Sequence, residues 1–84
     1  MNTAGYSVPV LPLSSEYVFI LEELELAFTE MQLKEITKEW NKGAELEDIA
    51  EKHQRHIDEV FLALFHQARK RKIKRPFAYR RGGQ

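Results

Sequence analysis

FTEMQLKEITKEWNKGAELEDIAEKHQRHIDEVFLALFHQARKRK, Phe28 to Lys72, decides the fold. The stretch carries three apolar stripes at helical spacing, separated by residues that stop one helix and start the next. Thr29, with Gln32 three residues on, has the form of a capping box, and Phe28 and Leu33 stand as a hydrophobic staple around it. A helix starting near Glu30 then places Leu33, Ile36 and Trp40 on one face, and Gly43 stands where a left-handed residue would end it. Lys34, Lys38 and Lys42 line the opposite face at intervals of four and read as a solvated stripe. A second helix is predicted from about Leu46 to His53, with Leu46, Ile49 and Ala50 toward the core. Its acidic start (Glu45, Glu47, Asp48) suits the helix dipole. A break at Gln54-Arg55-His56 leads into a third, over about Ile57 to Arg71, whose apolar stripe is Ile57, Val60, Phe61, Leu64, Phe65 and Ala68.

Working outward, Ser14 or Ser15 has the chemistry of a helix cap. Tyr17, Ile20, Leu21, Leu24 and Phe28 follow at spacings of three, four and seven, so a leading helix is predicted over residues 14–28. Residues 16–26 also fit a strand, because Tyr17 to Leu21 is rich in strand formers and Glu-Leu-Glu-Leu alternates. Residues 1–13, MNTAGYSVPVLPL, carry two prolines and no charge and read as an extended arm. Residues 73–84 contain Pro76 and a Gly pair and read as a trailing basic arm. The expected architecture is therefore all-α: a domain of three or four helices over residues 14–72 between an N-terminal arm and a basic C-terminal arm.

With 84 residues, 43% of them hydrophobic, the chain can form one small core burying roughly 60% of the surface its unfolded form exposes. It has no cysteine, so neither a disulfide nor a thiolate metal site contributes to stability. The apolar run Tyr17 to Leu21 is far too short to span a bilayer, and the first twenty residues carry no Lys or Arg with which to begin a secretory signal. A soluble, cytoplasmic protein with no membrane partner is expected. The net charge of zero conceals a strong asymmetry: residues 1–64 hold 5 Lys+Arg against 13 Asp+Glu, and residues 65–84 hold 8 against none. A cationic end of that density suits a polyanion, and equally allows head-to-tail self-association.

Trp40-Asn-Lys-Gly43, Leu46-Glu-Asp-Ile49-Ala50-Glu-Lys and Arg55-His-Ile-Asp-Glu-Val60 together resemble the helix-turn-helix of small bacterial and phage DNA-binding proteins and homeodomain-like modules. The likeness covers roughly Thr29 to Lys72. In that family an Ile-Ala pair packs against an aliphatic residue ten positions after the alanine, the spacing kept by Ile49, Ala50 and Val60; two helices that cross closely need a small residue facing a branched one. Gln54 stands where the family usually has glycine, so the turn must bend differently or hold Gln54 left-handed. The resemblance carries the recognition-helix positions onto His56, Ile57, Asp58, Phe61, Leu62 and Phe65. These are poor base readers beside Arg, Lys, Asn and Gln, and Phe61 and Phe65 are better suited to packing beneath the leading helix or against a second subunit.

The run from Arg69 to Gly83 interleaves Phe77 and Tyr79 with dense charge, a composition suited to phosphate contacts with stacking or minor-groove insertion. Candidate nucleic-acid contacts are Arg69, Lys70, Arg71, Lys72, Lys74, Arg75, Arg80 and Arg81 for phosphates, with Arg55, His56, Asp58, Leu62 and His66 nearest any bases. His53, His56 and Glu59 have a spacing that one helix could gather on a metal, but the turn interrupts it, so no metal and no cofactor are expected. The serines lack an activating histidine and carboxylate, and no glycine loop cradles phosphate, so the chain is not expected to be an enzyme. The expectation is a non-enzymatic regulator of transcription that binds double-stranded DNA, of the phage or prophage kind, with a homodimer supplying paired half-sites. The rival expectation is a protein-interaction module that presents the same scaffold to a transcription component or to further copies of itself.

Overall fold

The computed structural model describes residues 16–81. Three helices form the body: α1 over Glu30–Asn41, α2 over Leu46–His53 and α3 over Ile57–Arg69. Among the described residues there is no strand beyond an isolated bridge between Phe77 and Arg80.

Local chemistry sets each helix end. The Thr29 hydroxyl accepts from the Gln32 N–H at 3.0 Å and starts α1, as expected of a cap. Gln32 does not complete the box; its side-chain oxygen accepts instead from the Arg55 guanidinium at 3.0 Å. His56 starts α3, its Nδ1 accepting from the Asp58 N–H at 3.0 Å. All three helices end in the same way: the chain passes through a left-handed residue, so that the next N–H reaches back five residues to a helix carbonyl. Gly43 (φ +105°) brings Ala44 N–H to the Glu39 carbonyl, Gln54 (φ +54°) brings Arg55 N–H to Ala50, and Arg71 (φ +61°) brings Lys72 N–H to Gln67, each at 3.0 Å.

Glycine occupies only the first of these positions. A side chain in the left-handed region is disfavoured by about 1 kcal/mol or more, so Gln54→Gly is expected to stabilise the domain by about 1 kcal/mol. Thermal unfolding reads this as a rise in Tm of roughly 4–8 °C; an unchanged or lower Tm would show that the Gln54 side chain contributes more than its strain costs.

The core gathers Ile36, Trp40, Ile49, Ala50, Val60, Ala63, Leu64 and Ala68. The Ile49, Ala50 and Val60 of the sequence motif are all buried in it. One polar link crosses this core: Gln67 Nε2 donates to the Thr37 hydroxyl at 2.9 Å, which in turn donates to the Leu33 carbonyl at 2.7 Å, so neither buried group is left unsatisfied.

Two sequence expectations change. No helix forms over the described part of residues 14–28, nor a strand over residues 16–26; Ser14, Ser15 and the arm over residues 1–13 lie outside the described residues. Tyr17, Val18, Phe19 and Ile20 are exposed, and Leu21 is left-handed (φ +63°). An amphipathic stripe makes a helix only when it has a face to bury against, and α1 and α3 already cover one another. What fixes the end of this segment is polar: Glu25 N–H donates to Glu59, and Arg55 donates to the Glu25 and Ala27 carbonyls.

The second change is at the other end. The segment from residue 73 does not trail away as an arm, because Ile73 and Phe77 are 1% and 3% exposed and complete the core. Phe77 meets Trp40 edge to face, with ring centres 5.1 Å apart, and lies 4.9 Å from Phe61. Asn41 Oδ1 accepts from the Lys74 and Arg75 N–H groups, and Trp40 Nε1 donates to the Arg75 carbonyl at 3.0 Å.

Candidate nucleic-acid interface

The thirteen residues expected to touch or lie nearest nucleic acid fall into three groups in the structure. The first is structural. Arg55 is held by Glu59 at 2.8 Å, by Gln32 and by the Glu25 and Ala27 carbonyls, with its guanidinium 3.8 Å from the centre of the Phe28 ring. Arg75 lies 3.7 Å over the Trp40 ring and donates to the Trp40 and Ala44 carbonyls. Both guanidinium groups hold chain segments together. Their designation as DNA contacts is therefore corrected to a structural role.

The second group lies along α3. His56 is an exposed helix cap, whereas Leu62 and His66 line an apolar groove of about 520 Å³ with Leu21, Leu26, Ala27, Phe28 and Leu33. Phe61 and Phe65, on the adjoining face, meet Phe77 and Tyr79 of the C-terminal segment rather than a leading helix. The face of α3 that the resemblance assigns to base reading is thus flanked on both sides by the chain itself. Asp58 at its exposed end repels phosphate.

The third group is exposed cation: Arg69, Lys70, Arg71, Lys72, Lys74 and Arg81, with Arg80 half-buried. Here the structure adds residues the sequence reading set aside. Lys34, Lys38 and Lys42 of α1 form one wall of a groove of about 440 Å³; Lys72 and Lys74 approach from the C-terminal segment, and Thr37, Asn41 and Gln67 lie between. Among the described residues none of these five ammonium groups has a carboxylate within 4 Å. The same Asn41 side chain that accepts from Lys74 and Arg75 fixes the two walls relative to each other. The interval of four along α1 was the available signal. Only the folding back of the C-terminal segment turns a solvated stripe into a shallow, single-sign surface, where field from several cations adds.

Two carboxylates, Glu59 and Glu39, are engaged away from the groove. The carboxyl of Glu59 is held below its ordinary range by the Glu25 N–H and by Arg55. At Glu39 burial pushes the carboxyl up, but hydrogen bonds from Lys52 at 2.8 Å and His53 at 3.0 Å outweigh it and leave the group low; Glu39 in turn holds the Lys52 ammonium above its usual value. His53, His56 and Glu59 face Glu39, the start of α3 and Arg55 respectively, so they do not converge on one point. Among the described residues no helix is long and apolar enough to cross a membrane.

Comparison with protein-family models, with curated proteins and with solved structures finds no match to this chain.

Proposed function

We propose that this chain is a non-enzymatic DNA-binding regulatory protein that grips the phosphate backbone through its lysine groove, on a scaffold in which α2 and α3 serve as a helix-turn-helix. The observation that carries the proposal is the convergence of Lys34, Lys38, Lys42, Lys72 and Lys74 on one groove with no paired carboxylate among the described residues. Backbone contacts of this kind give affinity and position without reading sequence. Regulation then depends on where the protein is held rather than on a base-reading helix, which fits the apolar and acidic character of the α3 face.

The test is a salt titration of binding to duplex DNA. Log affinity should fall linearly with log salt, by about 0.9 per phosphate neutralised. Lys38→Gln and Lys72→Gln, one from each wall, should each lower that slope by about 0.9 and weaken binding equally for unrelated sequences. Both side chains are exposed, so stability should change by less than about 0.5 kcal/mol. A slope unaltered by both substitutions would move the interface away from the groove.

A protein-interaction module is the second reading, favoured by a separate observation. Val18, Phe19 and Ile20 are 82%, 59% and 79% exposed beside the apolar groove that Leu21 and Leu26 help to line. Absence of binding to both duplex and single-stranded DNA at low salt would select it over the DNA-binding proposal.

A further inference from the structure

The basic run contains two aromatic residues, and the fold treats them oppositely. Phe77 is buried in the core, whereas Tyr79, two residues on, is 77% exposed. Between them the chain makes a tight turn closed by two hydrogen bonds, Phe77 N–H to the Arg80 carbonyl at 2.9 Å and Arg80 N–H to the Phe77 carbonyl at 2.8 Å. Ala78, in the middle, has φ +54°, a conformation an alanine resists and holds here because Phe77 anchors one side of the turn. Tyr79 is thus a large aromatic ring held out from the surface on a hydrogen-bonded turn. Its edge rests on Phe65, ring centres 6.0 Å apart, which fixes its direction without covering it.

The charges around this ring are all positive. Arg71, Arg80 and Arg81 line a depression with Tyr79 and Ala68. The Arg80 guanidinium sits 5.2 Å from the Tyr79 ring and 5.6 Å from Phe65, and its Nε–H is buried without a hydrogen-bond partner among the described residues. The depression adjoins the lysine groove around the end of α3: Gln67 and Lys72 line the groove, and their chain neighbours Ala68 and Arg71 line the depression. Consecutive residues sit about 3.8 Å apart along the backbone, so the two cationic surfaces lie on neighbouring parts of the molecule.

We propose that the Tyr79 turn is a stacking platform for an unpaired nucleobase, with Arg71, Arg80 and Arg81 taking the adjoining phosphates, so that the ligand is a nucleic acid with a single-stranded stretch. An exposed ring amid arginines suits this ligand because every base offers a π face and every nucleotide a phosphate. A base paired within a duplex has both faces covered by its neighbours and gains nothing from the ring. The inference rests on the phosphate-binding role proposed for the lysine groove and adds the kind of strand it takes.

The experiment compares the full chain on two labelled strands of about 15 residues, oligothymidine and an abasic strand with the same phosphates but no bases. Wild type should bind the thymidine strand roughly fivefold or more tightly than the abasic one. Tyr79→Ala should bring the two affinities together, and Tyr79→Phe should keep them apart, with Tm following the fold in each variant. Equal affinity of wild type for both strands, or a preference that survives Tyr79→Ala, would overturn the stacking role while Lys38→Gln and Lys72→Gln still tested the groove. Failure to bind either strand or duplex at about 50 mM salt would overturn both.

Discussion

Val60→Asp will leave the chain unfolded at neutral pH. Val60 is completely buried, in the same core as Ile49 and Ala50. An isolated carboxylate there loses its hydration without a partner, which costs several kcal/mol on top of the lost apolar contact. A domain of this size has roughly 5–10 kcal/mol of stability in total, so the substitution removes most or all of it. The sign of the pH response follows. The neutral acid is less costly to bury than the carboxylate, which raises its folded-state pKa, so the variant should regain some structure as pH falls from neutral down to the ordinary carboxylate range. Val60→Ala, which introduces no charge, should lose only about 1–3 kcal/mol and stay folded. Circular dichroism with thermal melts of the two variants decides the matter: a Val60→Asp chain with a cooperative melt near that of wild type would mean that α2 and α3 do not pack through this residue.

Phe77→Ala should have the next largest effect, about 3–5 kcal/mol, seen as a Tm lowered by more than about 10 °C. The ring fills the space between Trp40 and Phe61, and its removal leaves a cavity that the helices cannot close. The substitution also loosens the segment bearing Lys72, Lys74 and the Tyr79 turn, because Phe77 and Ile73 are its apolar anchors. Deleting everything from Lys72 onward would remove both anchors with the charges. Such a chain would bind nucleic acid weakly because it unfolds, and the loss would say nothing about phosphate contacts. Exposed-lysine substitutions separate the two causes, since they remove charge and leave the core intact. A Phe77→Ala chain with unchanged Tm would show instead that the C-terminal segment is not part of the folded body.

How far the sequence led depended on the range of the interaction concerned. The start of α1 at Thr29 and its end at Gly43 were legible because both signals are satisfied within a few residues of themselves. The helix ends at Gln54 and Arg71 use the same geometry with residues that do not advertise it; only the first was flagged, from the glycine expected in its place. The segment ahead of α1 was misread because Tyr17, Ile20, Leu21 and Leu24 have helical spacing, and spacing cannot show whether a face is available to receive them.

The candidate site divides along the same line. The sequence alone determined that the body over residues 30–69 is built of α-helices, that Ile49, Ala50 and Val60 are core, and that the positive charge is gathered at the C-terminal end, because residue type, period and local caps are sufficient for these. Tertiary structure decided which cations are free. Arg55 and Arg75 became structural through carbonyls roughly 30 residues away, the stripe Lys34, Lys38 and Lys42 acquired a second wall, and Phe77 and Tyr79 were sent to opposite sides of one turn. The physical reason is that a guanidinium or an aromatic ring is equally at home against a partner's backbone, in a core or in water. Its role is set by what the folded chain brings within about 4 Å, a distance that no local pattern records.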